Sequence, residues 1–126
     1  MQDRFKFRYN NNNKIYDVSA IDFTRSRGEI VSLDGMETLI CKLDLNNLIQ
    51  CSGLKDKNNK LIYEKDIIKC SYCNEAAIGV VEWDSESMQF VLKVKEDFYS
   101  FIPKTILDKI EILGSIYENA ELLEEN

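Results

Sequence analysis

The sequence predicts a mainly β fold: a small barrel with an additional N-terminal β-hairpin, short helical turns and a short C-terminal helix. Three observations predict it. Short runs alternate apolar and polar residues with period two. Turn-forming clusters interrupt these runs about every eight to twelve residues, as in small sandwiches and barrels. The 126 residues contain five glycines and one proline, with no linker and no repeat, so a single domain over 1–126 is expected, with an N-terminal subregion 1–48 and a barrel subregion 49–126.

The elements follow in order. Phe5, Phe7 and Tyr9 alternate with Lys6 and Arg8, which places the three aromatics on one face of a half-buried strand. Asn10 to Asn13 supply a turn, because asparagine tolerates left-handed backbone conformations, and Ile15 to Val18 form the return strand. Short β segments are expected around Ile21–Phe23, Glu29–Leu33 and Thr38–Lys42, with turns at Gly28 and Asp34-Gly35. Asp44 is placed to cap one helical turn over Leu45–Leu48. Ile49–Ser52 is a short strand that leads into a polar cluster, Lys55 to Lys60, with Leu54, Ile62 and Ile67 as inward anchors around it.

Asp66–Ser71 then reads as a strand and residues 71–76 as a connection. Ile78–Trp83 and Met88–Val94 are the strongest strand patterns, joined by a turn at Asp84–Ser87. Phe98–Phe101 is a further strand ended by Pro103, and Thr105–Lys109 is a helical turn. Gly114, between Ile110–Leu113 and Ser115–Tyr117, marks a bent or bulged strand. Asn119 is the expected N-cap of the terminal helix, with Glu121 in its first turn.

Charge and cysteines narrow the function classes. The net charge is −6; residues 1–60 carry ten Lys/Arg against eight Asp/Glu, and residues 61–126 carry six against fourteen. Duplex binding needs clustered cations, so nucleic acid is not an expected partner, although Arg4, Lys6, Arg8 and Lys14 form a small basic patch on the first strand. No apolar run is long enough to span a bilayer, and the first residues lack a signal-peptide core, so the expectation is a cytoplasmic protein without a membrane partner. In that compartment Cys41, Cys51, Cys70 and Cys73 are expected to be reduced. Cys70 and Cys73 have CxxC spacing, but the chain has no histidine, and Cys41 and Cys51 are too far apart in sequence to make a second knuckle. They are read as small hydrophobes and loop residues.

No nucleophile has a plausible base, and no phosphate-cradling glycine loop is present. Glu64 with Asp66, and Glu82 with Asp84, sit at strand spacing that turns both members to one face, an arrangement suited to a cation or a general acid but more often a solvated face. Trp83 reads as a core or subunit-interface anchor. The expectation is a non-enzyme without cofactor, catalytic residue or metal site. Its candidate interaction residues are Arg4, Lys6, Arg8, Tyr63, Glu64, Asp66 and Trp83.

Gly53-Leu-Lys-Asp-Lys-Asn-Asn-Lys-Leu-Ile-Tyr-Glu-Lys-Asp-Ile-Ile-Lys69 resembles the central signature of the YopX family of phage and prophage proteins. Phe5-Lys-Phe-Arg8, Gly79-Val-Val-Glu-Trp-Asp84 and Gly114-Ser-Ile-Tyr-Glu-Asn-Ala-Glu-Leu-Leu123 are similar to its opening strand, central hairpin and closing motif. The resemblance implies a mostly β protein containing an SH3-like barrel and prone to self-association, and it carries over no activity, cofactor or catalytic residue. The barrel-like strand pattern, the missing catalytic set and the acidic charge lead to the expectation of a non-catalytic, self-associating phage-encoded module that binds a host or phage protein, with a small nucleic-acid-binding barrel as the alternative. Three positions depart from the signature. Asn59 and Lys65 stand where the family has glycine, so each is a candidate for a positive φ. Ala120 replaces a proline.

Overall fold

The computed structural model describes residues 6–72, 75–94, 97–100 and 109–124. They form eleven strands: β1 (Phe7–Asn11), β2 (Lys14–Asp22), β3 (Arg27–Ser32), β4 (Thr38–Lys42), β5 (Leu48–Lys55), β6 (Leu61–Tyr63), β7 (Asp66–Tyr72), β8 (Glu75–Asp84), β9 (Gln89–Val94), β10 (Asp97–Ser100) and β11 (Ile110–Ser115). A short helix, α1 (Glu121–Glu124), follows them. Two antiparallel sheets result, one of six strands in the order β4-β3-β2-β1-β5-β6 and one of five in the order β10-β9-β8-β7-β11. No closed barrel forms among the described residues. The residues 101–108, where the end of the Phe98–Phe101 strand, Pro103 and most of the Thr105–Lys109 turn were expected, lie outside them.

The first hairpin turns on Asn12 and Asn13, whose φ values of 53° and 67° are those of a two-residue type I′ turn. The Asn10 side chain accepts the Asn13 N–H at 2.9 Å. The return strand is longer than its sequence suggests. The segments expected at Ile15–Val18 and Ile21–Phe23 are one strand, β2, whose register against β3 shifts between Val18 and Ala20. A β-bulge at Ser19 reverses the facing of every later residue, so Tyr16, Val18 and Ile21 all reach one cluster with Tyr9, Ile30 and Leu43. Asp44 caps a single 3-10 turn, Leu45–Asn47, through the Asn46 N–H, as its sequence predicts.

The signature builds the joint between the sheets. β5 and β6 pair around Cys51↔Tyr63 and Lys55↔Leu61. Gly53, at φ +83°, absorbs the irregularity between those pairs. The hairpin turn is held by Asp56, whose Oδ1 accepts the N–H groups of Asn58 and Lys60, both at 2.9 Å. Its other oxygen accepts the Ile112 N–H of β11 at 3.0 Å. Asn59 sits at φ 64°, the left-handed position that the departure from glycine indicated. Ile62 of β6 is fully buried against Ile68, Val81, Leu92 and Ile110 of the second sheet, with Leu54 packed beside it. A strand of one sheet thus fills the core of the other. Ile67 is also fully buried.

Between β6 and β7 the chain turns a corner at Lys65, whose φ is 69°. The Lys65 N–H donates to Val81 O at 2.7 Å, its carbonyl accepts the Ile116 N–H at 3.0 Å, and the preceding Glu64 N–H donates to Gln50 O at 2.9 Å. One residue therefore binds β8 and the segment after β11 at once.

β7 runs to Tyr72 and β8 starts at Glu75, so the strands take in the described residues of the connection expected over 71–76. β11 carries the bulge expected near Gly114, with Leu113 unpaired between Ile112↔Ile68 and Gly114↔Ile67. The strand stops at Ser115 and does not continue to Tyr117. Asn119 does not cap α1 with its side chain. Its Oδ1 turns back to accept the Ser115 N–H at 3.1 Å and lies against Gly114, where a Cβ would collide with it. The neighbouring Glu118 carboxylate accepts the Ile15 N–H of β2 at 3.2 Å, tying the closing motif to the first hairpin.

The Lys65 corner yields a test. A non-glycine residue in the left-handed region costs about 1–2 kcal/mol, while the half-buried Lys65–Glu82 ion pair at 3.1 Å returns about 0.2–1 kcal/mol. Lys65→Gly is expected to match or exceed the parent in urea-denaturation stability. Lys65→Ala, which keeps the strained backbone and loses the pair, is expected to fall about 1 kcal/mol below Lys65→Gly.

Candidate functional site

Arg8, Tyr63, Glu64 and Asp66 come together at the seam where the signature hairpin meets β1 and β11. They share a cavity of ≈ 140 Å³ with Ile15, Ser115 and Glu118. Lys6 joins Arg8 and Tyr63 in a neighbouring cleft. Trp83 lies away from the seam on β8, and Arg4 lies outside the described residues.

Arg8 is fixed on two sides. Its Nε donates to Asp17 Oδ1 at 3.2 Å, the residue directly opposite it in the β1–β2 register. Its guanidinium stacks on the Tyr63 ring, 4.1 Å from the centroid. Tyr63 is not the surface contact its sequence position suggests. It is 4% exposed and packs with Ile15, Ile49 and Cys51. Burial pushes its hydroxyl up to about 12, with the Arg8 charge opposing.

Asp66 is also a buried residue, 5% exposed. Its Oδ2 accepts the Tyr63 N–H at 2.9 Å. Burial raises its pKa to about 7; the Tyr63 N–H and the Arg8 charge pull it down, and the Asp56 charge pushes it further up. Glu64 and Asp66 line the same cavity, although Lys65 takes the left-handed conformation between them and the Asp66 carboxylate accepts the Tyr63 N–H, so they are not neighbours along a regular strand. Glu82 and Asp84 also take separate partners. Glu82 pairs with Lys65, and Asp84 accepts the Glu86 N–H at 3.2 Å and the Ser87 hydroxyl at 2.6 Å. No group of three or more metal-ligating side chains occurs among the described residues.

The cysteines behave as the small hydrophobes their sequence suggests where they are described. Cys41, Cys51 and Cys70 pack into three different apolar clusters, and burial pushes the Cys70 thiol up. Cys73 lies outside the described residues. Trp83 is 46% exposed, which removes it from the core. Its indole is held edge-on to Phe90, with centroids 5.1 Å apart. Two features escaped sequence reading. One is the buried carboxylate of Asp56, for which the local Asp-Lys-Asn-Asn turn chemistry was the available signal. The other is the approach of Lys55 and Lys60 to Lys6 and Arg8.

Asp66 gives the seam a pH dependence. Its carboxyl titrates near 3.8 when exposed and about 7 when folded. Between those values the folded chain holds a proton that the unfolded chain does not. The stability this contributes is complete below about pH 4 and is lost as pH rises to about 7, at up to about 1.4 kcal/mol per pH unit. Asp66→Asn keeps an oxygen for the Tyr63 N–H and does not titrate. Urea denaturation across this range is expected to show the parent losing stability relative to Asp66→Asn as pH rises; parallel curves would contradict the assignment.

Among the described residues, no helix is long and apolar enough to cross a membrane. No curated protein matches the chain. Among solved structures it is similar to the crystal structure of protein EF1440 from Enterococcus faecalis, with a TM-score of 0.61, 22% sequence identity and coverage of 94% of this chain and 96% of that one. At that identity the likeness shows a shared fold. The family model described as YopX protein matches residues 6–124, a span that contains the signature hairpin, the Lys65 corner and the closing Gly114–Leu123 motif, and the chain belongs to the YopX family.

Proposed function

We propose that this protein is a non-catalytic binding module of phage or prophage origin that self-associates through the open edge of its six-stranded sheet and acts in the cytoplasm on a host or phage protein. The observation that carries the reading is β4. It is the outermost strand of that sheet, and its central outward residue, Ile40, is 71% exposed. Leu39 and Cys41, which alternate with it, already pack into the sheet's own cluster. The turn before β4 adds Met36, which is 86% exposed.

Edge strands ordinarily carry charges, prolines or bulges that prevent pairing. β4 has Lys42 alone as a guard and pairs with β3 in unbroken register. A second copy added antiparallel about Ile40 sets Ile40 against Ile40 and Thr38 against Lys42, which opposes no like charges. The non-catalytic reading is supported by how the carboxylates are used. Asp34, Asp56, Asp66 and Asp84 all accept main-chain N–H groups, so these groups serve the turns. The second sheet and the β5–β6 hairpin, which share one core, are the part we read as the SH3-like unit.

Sedimentation velocity over a concentration series tests the edge. The parent is expected to associate, and Ile40→Lys to be monomeric with its melting temperature little changed, since exposed substitutions shift stability by about 0.5 kcal/mol or less. A parent that stays monomeric, or a variant that associates equally well, would overturn the reading.

A further inference from the structure

We infer that the cleft between β1, the β5–β6 turn and β11 is a binding site for phosphate groups, carried by a nucleotide or by a single strand of nucleic acid. The cleft is open, has a volume of ≈ 510 Å³, and is rimmed by Lys6, Arg8, Lys55 and Lys60. Its remaining lining among the described residues is Asn59, Leu61, Tyr63 and Ile112, with no carboxylate. Four cations around one cleft stand out in a chain of net charge −6, and a volume of this size suits a small ligand, for which clefts of about 300–1,000 Å³ are usual.

The fold gathers these charges. Lys55 pairs with Leu61 across the hairpin, and Asp56 N–H donates to Lys60 O at 2.8 Å. The ends of the turn are thereby side by side, and both lysines line the cleft. Bringing like charges together is unfavourable unless an anion offsets it. Two other lysines of the signature have counter-charges: Lys57 pairs with Glu111 at 3.9 Å and Lys65 with Glu82 at 3.1 Å. Lys55 and Lys60 have no ion pair among the described residues.

Arg8 adds direction. Among the described residues its Nε alone donates a hydrogen bond, to Asp17, and stacking on Tyr63 holds its plane. Its Nη hydrogens remain to donate as a fork, the geometry that matches phosphate oxygens. Leu61 and Ile112 provide an apolar floor for the organic part of a ligand. The site is distinct from the β4 edge and does not depend on self-association.

Fluorescence anisotropy with a labelled oligodeoxythymidylate, at about 50 mM and about 200 mM salt, tests the inference, with inorganic tripolyphosphate as competitor and as a separate ligand. The parent is expected to bind, more weakly at the higher salt. Lys60→Glu is expected to weaken binding about tenfold and to flatten the salt dependence by at least about 0.7 in log–log slope. Lys57→Glu makes the same charge change in the same turn but does not line the cleft, and is expected to stay within about twofold of the parent. Displacement by tripolyphosphate supports the site with a small phosphorylated ligand as its source. Lys60-dependent strand binding that tripolyphosphate does not displace supports it with the strand as the source. Absence of binding by both probes at the lower salt, or an equal loss in Lys57→Glu and Lys60→Glu while both melt like the parent, overturns it.

Discussion

The Asp56 carboxylate accepts three main-chain N–H groups, two from its own turn and one from β11, and the relation between the two sheets depends on it. The residue is 6% exposed. A carboxylate that deep is costly unless its lone pairs are occupied, and here both oxygens are. Hydrogen bonds to a charged group contribute about 1.5–3 kcal/mol each. The same carboxylate shapes the β5–β6 turn and attaches it to the far sheet. With that turn held, Leu54 and Ile62 are delivered into the core beneath β7, β8 and β11. A hairpin belonging to one sheet becomes a packing layer for the other.

The second half of the joint is the corner at Lys65. Its backbone binds Val81 and the residue after β11, so the conformation is determined by both neighbours and persists despite a side chain that disfavours it. Asp66 closes the corner from within by accepting the Tyr63 N–H. The signature therefore encodes two buried aspartates and two non-glycine left-handed residues, Asn59 and Lys65, at the points where the chain must turn sharply. The two readings of function use what the joint leaves outside. The β4 edge is at the far end of the first sheet. The basic cleft is formed by the turn whose geometry Asp56 sets.

Much of this was legible in the sequence because it rests on local chemistry. The asparagine turn, the bulge near Gly114, the Asp44 cap and the glycine-like conformation of Asn59 all follow from what a few neighbouring residues can adopt. The β2 bulge was not legible. Val18 and Ile21 are three apart, which breaks a period of two, and the break reads as a gap between strands until β3 is seen to continue across it. Burial of carboxylates was equally hidden. Asp56 and Asp66 stand in a polar, charged stretch, and their burial depends on β11, whose Ile112 lies 56 residues beyond Asp56. The burial of Tyr63 and the exposure of Trp83 are hidden in the sequence for the same reason. Which aromatic is covered depends on the sheet that packs against it. The basic cleft combines residues from β1 with residues from the β5–β6 turn, so charge counting along the chain dilutes it.

Replacing Asp56 by asparagine tests the joint most directly. The amide presents an N–H where the main chain already points an N–H, so at least one of the three hydrogen bonds is lost within nearly the same volume. If Asp56 unites the sheets, urea denaturation will show a loss of about 2–3 kcal/mol, and hydrogen exchange will show the amides of Lys60 and Ile112 losing protection together. Unchanged stability with both amides still protected would contradict the account, because the two sheets would then be held together without this carboxylate.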